Sequence, residues 1–332
     1  MSRISDIGIE ATGLPVRCSP RLRGDDRSRP LWSVLIPTRN CGELLRIAVN
    51  SVLNEDYSLE QMEIIILDDC SDDPGEAQDL ADQSKGRVRV IRHNQNVGKS
   101  ANYQSGLDTS RGRLIHLLHG DDLVRPGFYA SMQKCFDEFP EAGAVYCESD
   151  YINEQGEIIG RTGRPLKSSG LLKGFSATLY VEQQIQTPSI VMRRGVYEQI
   201  GGFDHRLPAF EDWEMWFRAS LAVPFVFNTE CRAAYRVSGG NTSSQSVLSG
   251  RRVRLLNLAL GIMDSYCPAE LAQSQSSARR RSCAENLFRY SITALHAGRR
   301  WLWVKLTFRS ILTAFSLRRT VRHLRNSLSV WC

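Results

Sequence analysis

Leu118-His-Gly-Asp-Asp122 closes an apolar run that begins at Leu114, and about 50 residues upstream Asp68-Asp69 closes another, Met62 to Leu67. Each run has the length and composition of a buried strand. In an open α/β sheet the carboxyl ends of parallel strands face a common crevice, which is where ligands bind. Two acidic pairs facing such a crevice suit a metal ion and a phosphate.

The neighbouring sequence supplies the rest of that sheet. Trp32-Ser-Val-Leu-Ile-Pro-Thr38 reads as the first strand, and Asn40 is a candidate cap for a helix whose Leu44, Leu45, Ala48, Val52 and Leu53 recur at helical spacing. Next come a strand Glu63 to Asp68, a helix near Glu76 to Gln83, a strand Val88 to Ile91, a helix near Lys99 to Asp108 and a strand Arg113 to Leu118. Apolar strands separated by amphipathic helices imply a mainly parallel α/β sheet with right-handed crossovers. Beyond Asp122 the alternation loosens into a helix Phe128 to Phe139, a strand Ala144 to Cys147 and a polar stretch from Asn153 to Gly174.

Composition bounds the remainder. Nine cysteines without a Cys-x-x-Cys pair fit neither a disulfide framework nor a zinc ribbon, and a reducing cytoplasm is the expected compartment. No signal peptide or spanning helix is indicated, so a soluble or peripheral protein is expected. The net charge of +6 is uneven: residues 251–332 hold 15 Lys+Arg against 3 Asp+Glu, which leaves residues 1–250 at −6. Nucleic acid is not the expected partner, because aromatic platforms and reading motifs are missing. In the tail, Lys305 and Arg309 interrupt Trp301, Trp303, Phe308 and Leu312, and Arg318, Arg319, Arg322 and Arg325 lie beyond them. That pattern has two readings: a helix lying on an anionic membrane surface, or a helix packed on the α/β domain with a solvated basic face.

Several motifs in order resemble the family-2 glycosyltransferases. They are Ser33-Val-Leu-Ile-Pro-Thr-Arg-Asn40, Ile64-Ile-Ile-Leu-Asp-Asp-Cys-Ser-Asp-Asp73, Asn96-Val-Gly-Lys-Ser-Ala-Asn102 with Gly106 and Gly112, Leu118-His-Gly-Asp-Asp122 with Pro126, and Gly201-Gly-Phe-Asp204 followed by Phe210-Glu-Asp-Trp-Glu214. The resemblance covers roughly residues 32 to 240 and implies a GT-A fold, with a flexible arm at 1–30, a GT-A domain at 31–245 (donor half 31–125, acceptor half 126–245) and a basic helical extension at 246–332. It implies an inverting transfer from a nucleotide-diphosphate sugar to a hydroxyl of a glycan or lipid-linked acceptor, in cell-surface polysaccharide synthesis. Uridine is the base that family frequency favours.

The resemblance also assigns roles. A departing diphosphate needs its developing charge stabilised, and a divalent ion, manganese or magnesium, does this through oxygen ligands. Asp122 is the expected ligand, and Asp121 shares the metal or faces the ribose. Asp69 accepts from the base while Asp68 supports its turn, and Pro37, Arg39, Asn96 and Gly98 line the nucleotide. Arg236 is a diphosphate partner. Asp212, with Glu211 beside it, is the candidate base on the far side of the anomeric carbon, where in-line attack inverts configuration. Trp213 is an acceptor platform or a core residue.

The chain departs from the family pattern at three positions. His119 stands where many relatives have a carboxylate and is a ligand, a phosphate donor or a packed histidine. Arg39 stands where many have an aromatic, and Ser238 where a histidine is common. Asn96-Val-Gly-Lys-Ser100 mimics a P-loop, but His93 occupies the position that needs glycine. A nucleotidyltransferase would need a Gly-rich triphosphate loop after the first strand, which is missing. A noncatalytic nucleotide-sugar binder is the other alternative, with His119 and Ser238 as marks of decayed chemistry.

Overall fold

A computed structural model describes residues 29–238 and 242–314. The expected arm at 1–30 and Arg318, Arg319, Arg322 and Arg325 thus lie largely or wholly outside the described residues. By internal contacts the chain forms two units, one of residues up to 176 together with 184–237, the other of residues 177–183 together with 238 onward.

The first unit runs β1 (Trp32–Thr38), α1 (Glu43–Leu53), β2 (Met62–Asp68), α2 (Gly75–Gln83), β3 (Val88–Arg92), α3 (Lys99–Thr109), β4 (Leu114–Leu117), β5 (Leu123–Val124), α4 (Phe128–Glu138), β6 (Ala144–Ile152), β7 (Ile158–Arg161) and β8 (Gly170–Leu171). After α5 (Phe175–Val181), which passes into the second unit, come a 3-10 turn at Thr187–Ser189, β9 (Ile190–Arg193), α6 (Arg194–Ile200), α7 (Glu211–Ala222) and β10 (Phe225–Arg236). The strands form one sheet in the order β3-β2-β1-β4-β9-β6-β10-β5, with β7 beside β6 and β8 beside β10.

β3, β2, β1 and β4 are parallel, and chain order reverses at the β1/β4 boundary. That boundary is the topological switch point, and its crevice opens at the carboxyl ends of the strands. Thr38 pairs with Asp68 there, and the amide of Gly120 bonds the carbonyl of Pro37 at 2.9 Å, so both acidic turns sit on one sheet edge. The short strand β9, antiparallel to β4 and β6, joins this part to the parallel pair β6/β10. Because β1 and β2 are covered on both faces, their sequences are continuous apolar runs rather than alternating ones. Trp32, Val34 and Ile36 pack with Leu45, Val49 and Val52 of α1.

On the other face α3 lies so close that a Cβ on Gly106 would be 2.6 Å from Leu67 Cδ1 and 3.1 Å from Leu35 Cδ1. Gly112 is tighter still, since a Cβ there would overlap the backbone nitrogen of Ser33. Its own amide donates to Ser33 Oγ at 2.7 Å. A leucine tip can rotate away but a strand backbone cannot, so Gly112→Ala should lower the unfolding free energy by about 2–4 kcal/mol in a denaturant titration.

One local expectation is corrected. Asn40 does not cap α1; Gly42 holds that position, with no side-chain capping bond. Asn40 instead adopts φ 55°, a conformation Asn tolerates. Its amide side chain bonds Asp72 in both directions, Nδ2 to Oδ2 at 2.9 Å and Oδ1 from the Asp72 amide at 2.8 Å. The residue therefore ties the β1–α1 loop to the β2–α2 loop.

The second unit is helical: α8 (Thr242–Leu248), α9 (Arg252–Tyr266), α10 (Ala269–His296) and α11 (Arg300–Ala314). Val253, Leu287, Ala294 and Leu306 form its core, with Leu302 and Trp303 packed against them. Arg279 clamps residues 177–183 into this unit, its guanidinium 3.7 Å from the Tyr180 ring centroid and donating to the Tyr180 and Leu260 carbonyls. Among the described residues no helix is long and apolar enough to cross a membrane.

Candidate active site

The turn between β4 and β5 is built on the end of β1. Gly120 sits tightly against β1, where a Cβ would be 3.0 Å from Thr38 Oγ1 and 3.2 Å from Cys41 Sγ. Around it His119, Asp121 and Asp122 come together, with one ligand atom from each lying within 4.8 Å of the others. Asp122 is 1 % exposed. Its Oδ1 accepts the Arg236 amide at 2.8 Å, while Oδ2 is buried without a hydrogen-bond partner and lies 3.5 Å from His119 Nδ1. Burial, reinforced by the charge of Asp121, pushes the Asp122 carboxyl up to about 6 against the opposing influence of His119 and Arg236. Burial alone would lower the His119 imidazole, but the bonding and charge of Asp122 and the charge of Asp121 outweigh it and raise the ring above its ordinary value.

Arg236 does not extend toward open space. It is 4 % exposed and donates to the carbonyls of Asp121 (2.9 Å), Asn153 (2.8 Å) and Glu154 (3.0 Å). In this geometry the side chain braces the acidic turn rather than offering itself to a diphosphate, contrary to the expectation from sequence.

At the end of β2 the two carboxylates are occupied differently. Asp68 Oδ1 accepts the amide and hydroxyl of Ser71 at 2.9 and 2.5 Å, and Oδ2 pairs with Arg92. Asp69 accepts the amides of Val97 (2.7 Å) and Gly98 (3.1 Å). Asn96 Oδ1 accepts the same Gly98 amide at 2.9 Å. Gly98 has φ 84°, which glycine adopts without steric cost, and it starts α3. Pro37 is buried in β1, whereas Arg39 just beyond it is exposed.

The acidic end of α7 carries Glu211, Asp212 and Glu214 in its first turn, where helix N–H groups favour negative charge. It is preceded by Phe210 at φ 65°, a left-handed conformation unusual for a bulky residue. Asp212, half-buried, accepts from Thr187 Oγ1 at 3.2 Å. Glu211 is buried, and its Oε1 lies 3.7 Å from Lys99 Nζ. Burial and then the neighbouring Asp212 raise the Glu211 carboxyl, while Lys99 and His119 oppose that rise. Trp213 is 2 % exposed and packs edge to face on Phe210, so its ring sits in the core and presents no open platform. Glu214 forms a buried pair with Arg218 at 2.8 Å, and that guanidinium also bonds the carbonyls of Ile200, Gly201 and Gly202. The Gly201-Gly202 turn is fixed to α7 in this way.

Tyr103 joins the two acidic groups. Its hydroxyl is 2.9 Å from His119 Nε2, and its ring packs on Phe203, which packs on Trp216. Burial, followed by the charges of Glu211, Asp212, Asp121 and Asp122, holds the phenol well above its ordinary range. Tyr103 and Lys99, four residues apart on α3, did not stand out as site residues in the sequence; their spacing along one helix face was the available signal.

A divalent cation suits this donor set. Two carboxylates converge, and Asp122 Oδ2 is buried with only His119 Nδ1 near it, at 3.5 Å, so a cation would add the charge balance this oxygen otherwise has only from the imidazole. Asp121 and Asp122 are the carboxylates that would hold it.

Residues 33–201 match the family model for glycosyl transferase family 2. An uncharacterized glycosyltransferase of Rickettsia felis is 24 % identical over 204 residues, 60 % of this chain and 33 % of the relative. An uncharacterized protein of Mycobacterium tuberculosis is 30 % identical over 212 residues, 60 % of this chain and 65 % of that protein. Poly(ribitol-phosphate) β-N-acetylglucosaminyltransferase TarP of Staphylococcus aureus is 38 % identical over 93 residues, 28 % of each chain. The match thus spans about a third of the first relative and just under two thirds of the second. Among solved structures, S. aureus TarS 1-349 with UDP-GlcNAc superposes with TM-score 0.59 at 16 % identity, covering 86 % of this chain and 81 % of that TarS 1-349 chain. The mannosyltransferase PcManGT of Pyrobaculum calidifontis, with GDP-Man and Mn2+, gives TM-score 0.59 at 16 % identity over 96 % of this chain and 84 % of its own.

Proposed function

The chain belongs to glycosyl transferase family 2, with the GT-A fold, and from that premise we propose that it is an inverting, divalent-metal-dependent glycosyltransferase. It moves a sugar from a nucleotide diphosphate to a hydroxyl of a cell-surface glycan or lipid-linked acceptor. The observation that carries this reading is the acidic turn at the end of β4, where one ligand atom each of His119, Asp121 and Asp122 lies within 4.8 Å of the others and Asp122 Oδ2 is buried without a hydrogen bond. A donor and an acceptor that meet in such a crevice have charge stabilisation on one side and a base on the other.

The chain's own residues divide the work. Asp69 holds the Asn96–Gly98 loop beside the nucleotide, with Pro37, Arg39 and Asp68 on the same edge of the sheet. Asp121 and Asp122 would hold a divalent cation, which would supply charge neutralisation for the departing diphosphate. Arg236 fixes the turn that presents those carboxylates. Asp212, held by Thr187 at the mouth of α7, takes the proton of the attacking hydroxyl. Lys99 keeps the buried Glu211 carboxylate partly balanced, so that two adjacent acids coexist without both being neutralised.

Solved neighbours bind UDP-GlcNAc and GDP-Man, which gives the donor panel. Calorimetry with uridine, guanosine, thymidine and cytidine diphosphate sugars, with and without Mn2+, should show metal-dependent binding of one base class. Folded protein that binds none of them would overturn the reading in favour of a noncatalytic partner.

For the second unit, an anionic bilayer is the partner we assign to the outward face of α11. Trp301 is 80 % exposed and Phe308 and Leu312 are 60 % exposed, at helical spacing beside Lys305 and Arg309. Apolar rings flanked by cations suit a lipid interface better than bulk water. Replacing Trp301 and Phe308 with Ser should abolish co-flotation with phosphatidylglycerol vesicles and leave donor binding unchanged. Equal flotation of native and variant protein would exclude this face.

A further inference from the structure

We propose that the cavity at the start of α11, wholly within the second unit, binds an organic phosphate that carries two or more negative charges. The site needs neither metal nor sugar donor, and it holds one ligand in one cavity, unlike the bilayer contact of the outward face of α11.

The cavity holds about 660 Å3, the size of a small-molecule site. Two glycine turns help to build it: Gly250 between α8 and α9, with φ 73°, and Gly298 between α10 and α11, with φ 71°. A Cβ on Gly250 would be 3.5 Å from Leu302 Cδ1, so the first of these turns packs directly on the opening turn of α11. Val253 and Leu306, both buried, join Leu302 as the apolar part of the lining, and the indole of Trp301 adds an open ring.

The charge around it has one sign. Arg254, Arg299, Arg300, Lys305 and Arg309 line the cavity, and among the described residues no carboxylate does. Nor does any of the five have an ion pair or a side-chain hydrogen bond among the described residues. Arginines of the first unit are engaged differently: Arg92 pairs with Asp68, Arg206 with Asp204, Arg218 with Glu214, and Arg164 and Arg232 share Glu148. The surrounding chain offers little to balance the cavity, because no Asp or Glu occurs between Asn286 and Cys332, and Asp264 is already held by Arg279 and Tyr180. A sphere of 660 Å3 is about 11 Å across, close to the Debye length of about 8–10 Å, so the five cations repel one another with little screening. A concave surface of a single sign focuses its potential and concentrates counterions inside. An anion in the cavity offsets the repulsion that the fold otherwise bears.

Phosphate suits this set of donors. Four guanidiniums present planar N–H forks that match phosphate oxygens in pairs, and Lys305 adds a compact charge. A ligand with one negative charge would leave most of the cations facing each other, whereas a phosphomonoester at pH 7 carries nearly two charges and a diphosphate carries more. Val253, Leu302, Leu306 and the Trp301 ring then accommodate the carbon part of the ester. A phospholipid headgroup and a soluble phosphate ester share this chemistry.

Calorimetry of the full chain with pyrophosphate, in buffer stripped of divalent ions, should show one site per chain whose affinity falls as salt is raised. The double variant Arg254→Gln/Arg299→Gln should bind about tenfold more weakly or worse, the scale of lost charge-assisted contacts, and Lys305→Gln should weaken binding in the same direction. All three positions are exposed, so the fold should not register these changes. Flotation with phosphatidylcholine vesicles that carry either phosphatidic acid or phosphatidylglycerol, matched in surface charge, identifies the source of the phosphate. A preference for phosphatidic acid that the double variant loses assigns a lipid headgroup, and saturable pyrophosphate binding without that preference assigns a soluble phosphate ester. Native protein without saturable pyrophosphate binding would overturn the site. So would native affinity in both the double variant and Lys305→Gln, and either result would leave the glycosyl-transfer reading untouched.

Discussion

Asp122→Asn is expected to abolish metal-dependent donor binding and transfer while making the metal-free protein more stable at neutral pH. The two effects share a cause. Asp122 is buried, its Oδ2 has only the His119 ring near it, at 3.5 Å, and its carboxyl is pushed up to about 6 from an ordinary value of 3.8. The folded state consequently holds a proton that the unfolded state releases, so this group's contribution to stability is full below about pH 4 and is lost as pH rises through about 6. Asparagine carries no charge at any of these pH values. Its carbonyl can still accept the Arg236 amide, and its NH2 can face His119. Removing the buried charge should then raise the unfolding free energy at pH 7 by on the order of 1–3 kcal/mol when no metal is present. Activity should fall by about a thousandfold or more, since stabilisation of the leaving group is lost. Metal affinity of native protein should also weaken steeply below pH 6, where protons compete for Asp122 and His119. Denaturant titrations at pH 5 and 7, with and without Mn2+, check the stability effects, and calorimetry over the same pH range checks the affinity. A variant that is less stable than native at pH 7 would mean that Asp122 is a structural residue whose buried charge costs the fold nothing.

The acidic strand ends were legible because a parallel α/β sheet imposes one geometry on every strand–helix unit. Once β1, β2 and β4 are recognised as buried runs, Asp68, Asp69, Asp121 and Asp122 must come to the same edge. What connects that edge to α7 was not legible. Tyr103 reaches His119 with its hydroxyl and, through Phe203, packs toward Trp216 of α7, because α3 lies close on the sheet, a three-dimensional fact with no local signature. Arg236 illustrates the same limit from the other side. Its charge pointed to a phosphate, but its position at the end of β10, antiparallel to β5, brings the guanidinium onto carbonyls of the acidic turn and of residues 153 and 154. Trp213 resembled a sugar platform because it neighbours the candidate base, yet α7 is buried on most of its circumference and the ring goes inward. The strand β9 escaped notice because four residues between polar segments carry too little periodicity to declare a strand.

Asp212→Asn should leave donor and Mn2+ affinity within about twofold of native and lower the transfer rate by about 10²–10⁴-fold, the usual contribution of a general base. The separation is expected from geometry. The donor groups rest on the ends of β1, β2 and β4, whereas Asp212 stands on α7 and bonds Thr187 from the turn before β9. Its amide analogue has nearly the same shape and can still accept from Thr187, so the fold and the cation should not register the change. Glu211→Gln is the informative comparison. Glu211 is buried against Lys99 and its carboxyl is raised, so neutralising it removes a desolvated charge and leaves Lys99 exposed to solvent on one side. A supporting residue of that kind should cost less in rate than the base itself, and its effect should grow as pH rises, because native Glu211 is then more fully ionised. Rate measurements across pH 5.5–8.5 on both variants distinguish the roles. A rate loss at least tenfold larger in Asp212→Asn than in Glu211→Gln, with donor and Mn2+ affinity retained in both, identifies Asp212 as the base. The reverse order assigns the base to Glu211, and an Asp212→Asn variant that transfers at the native rate removes Asp212 from the chemistry.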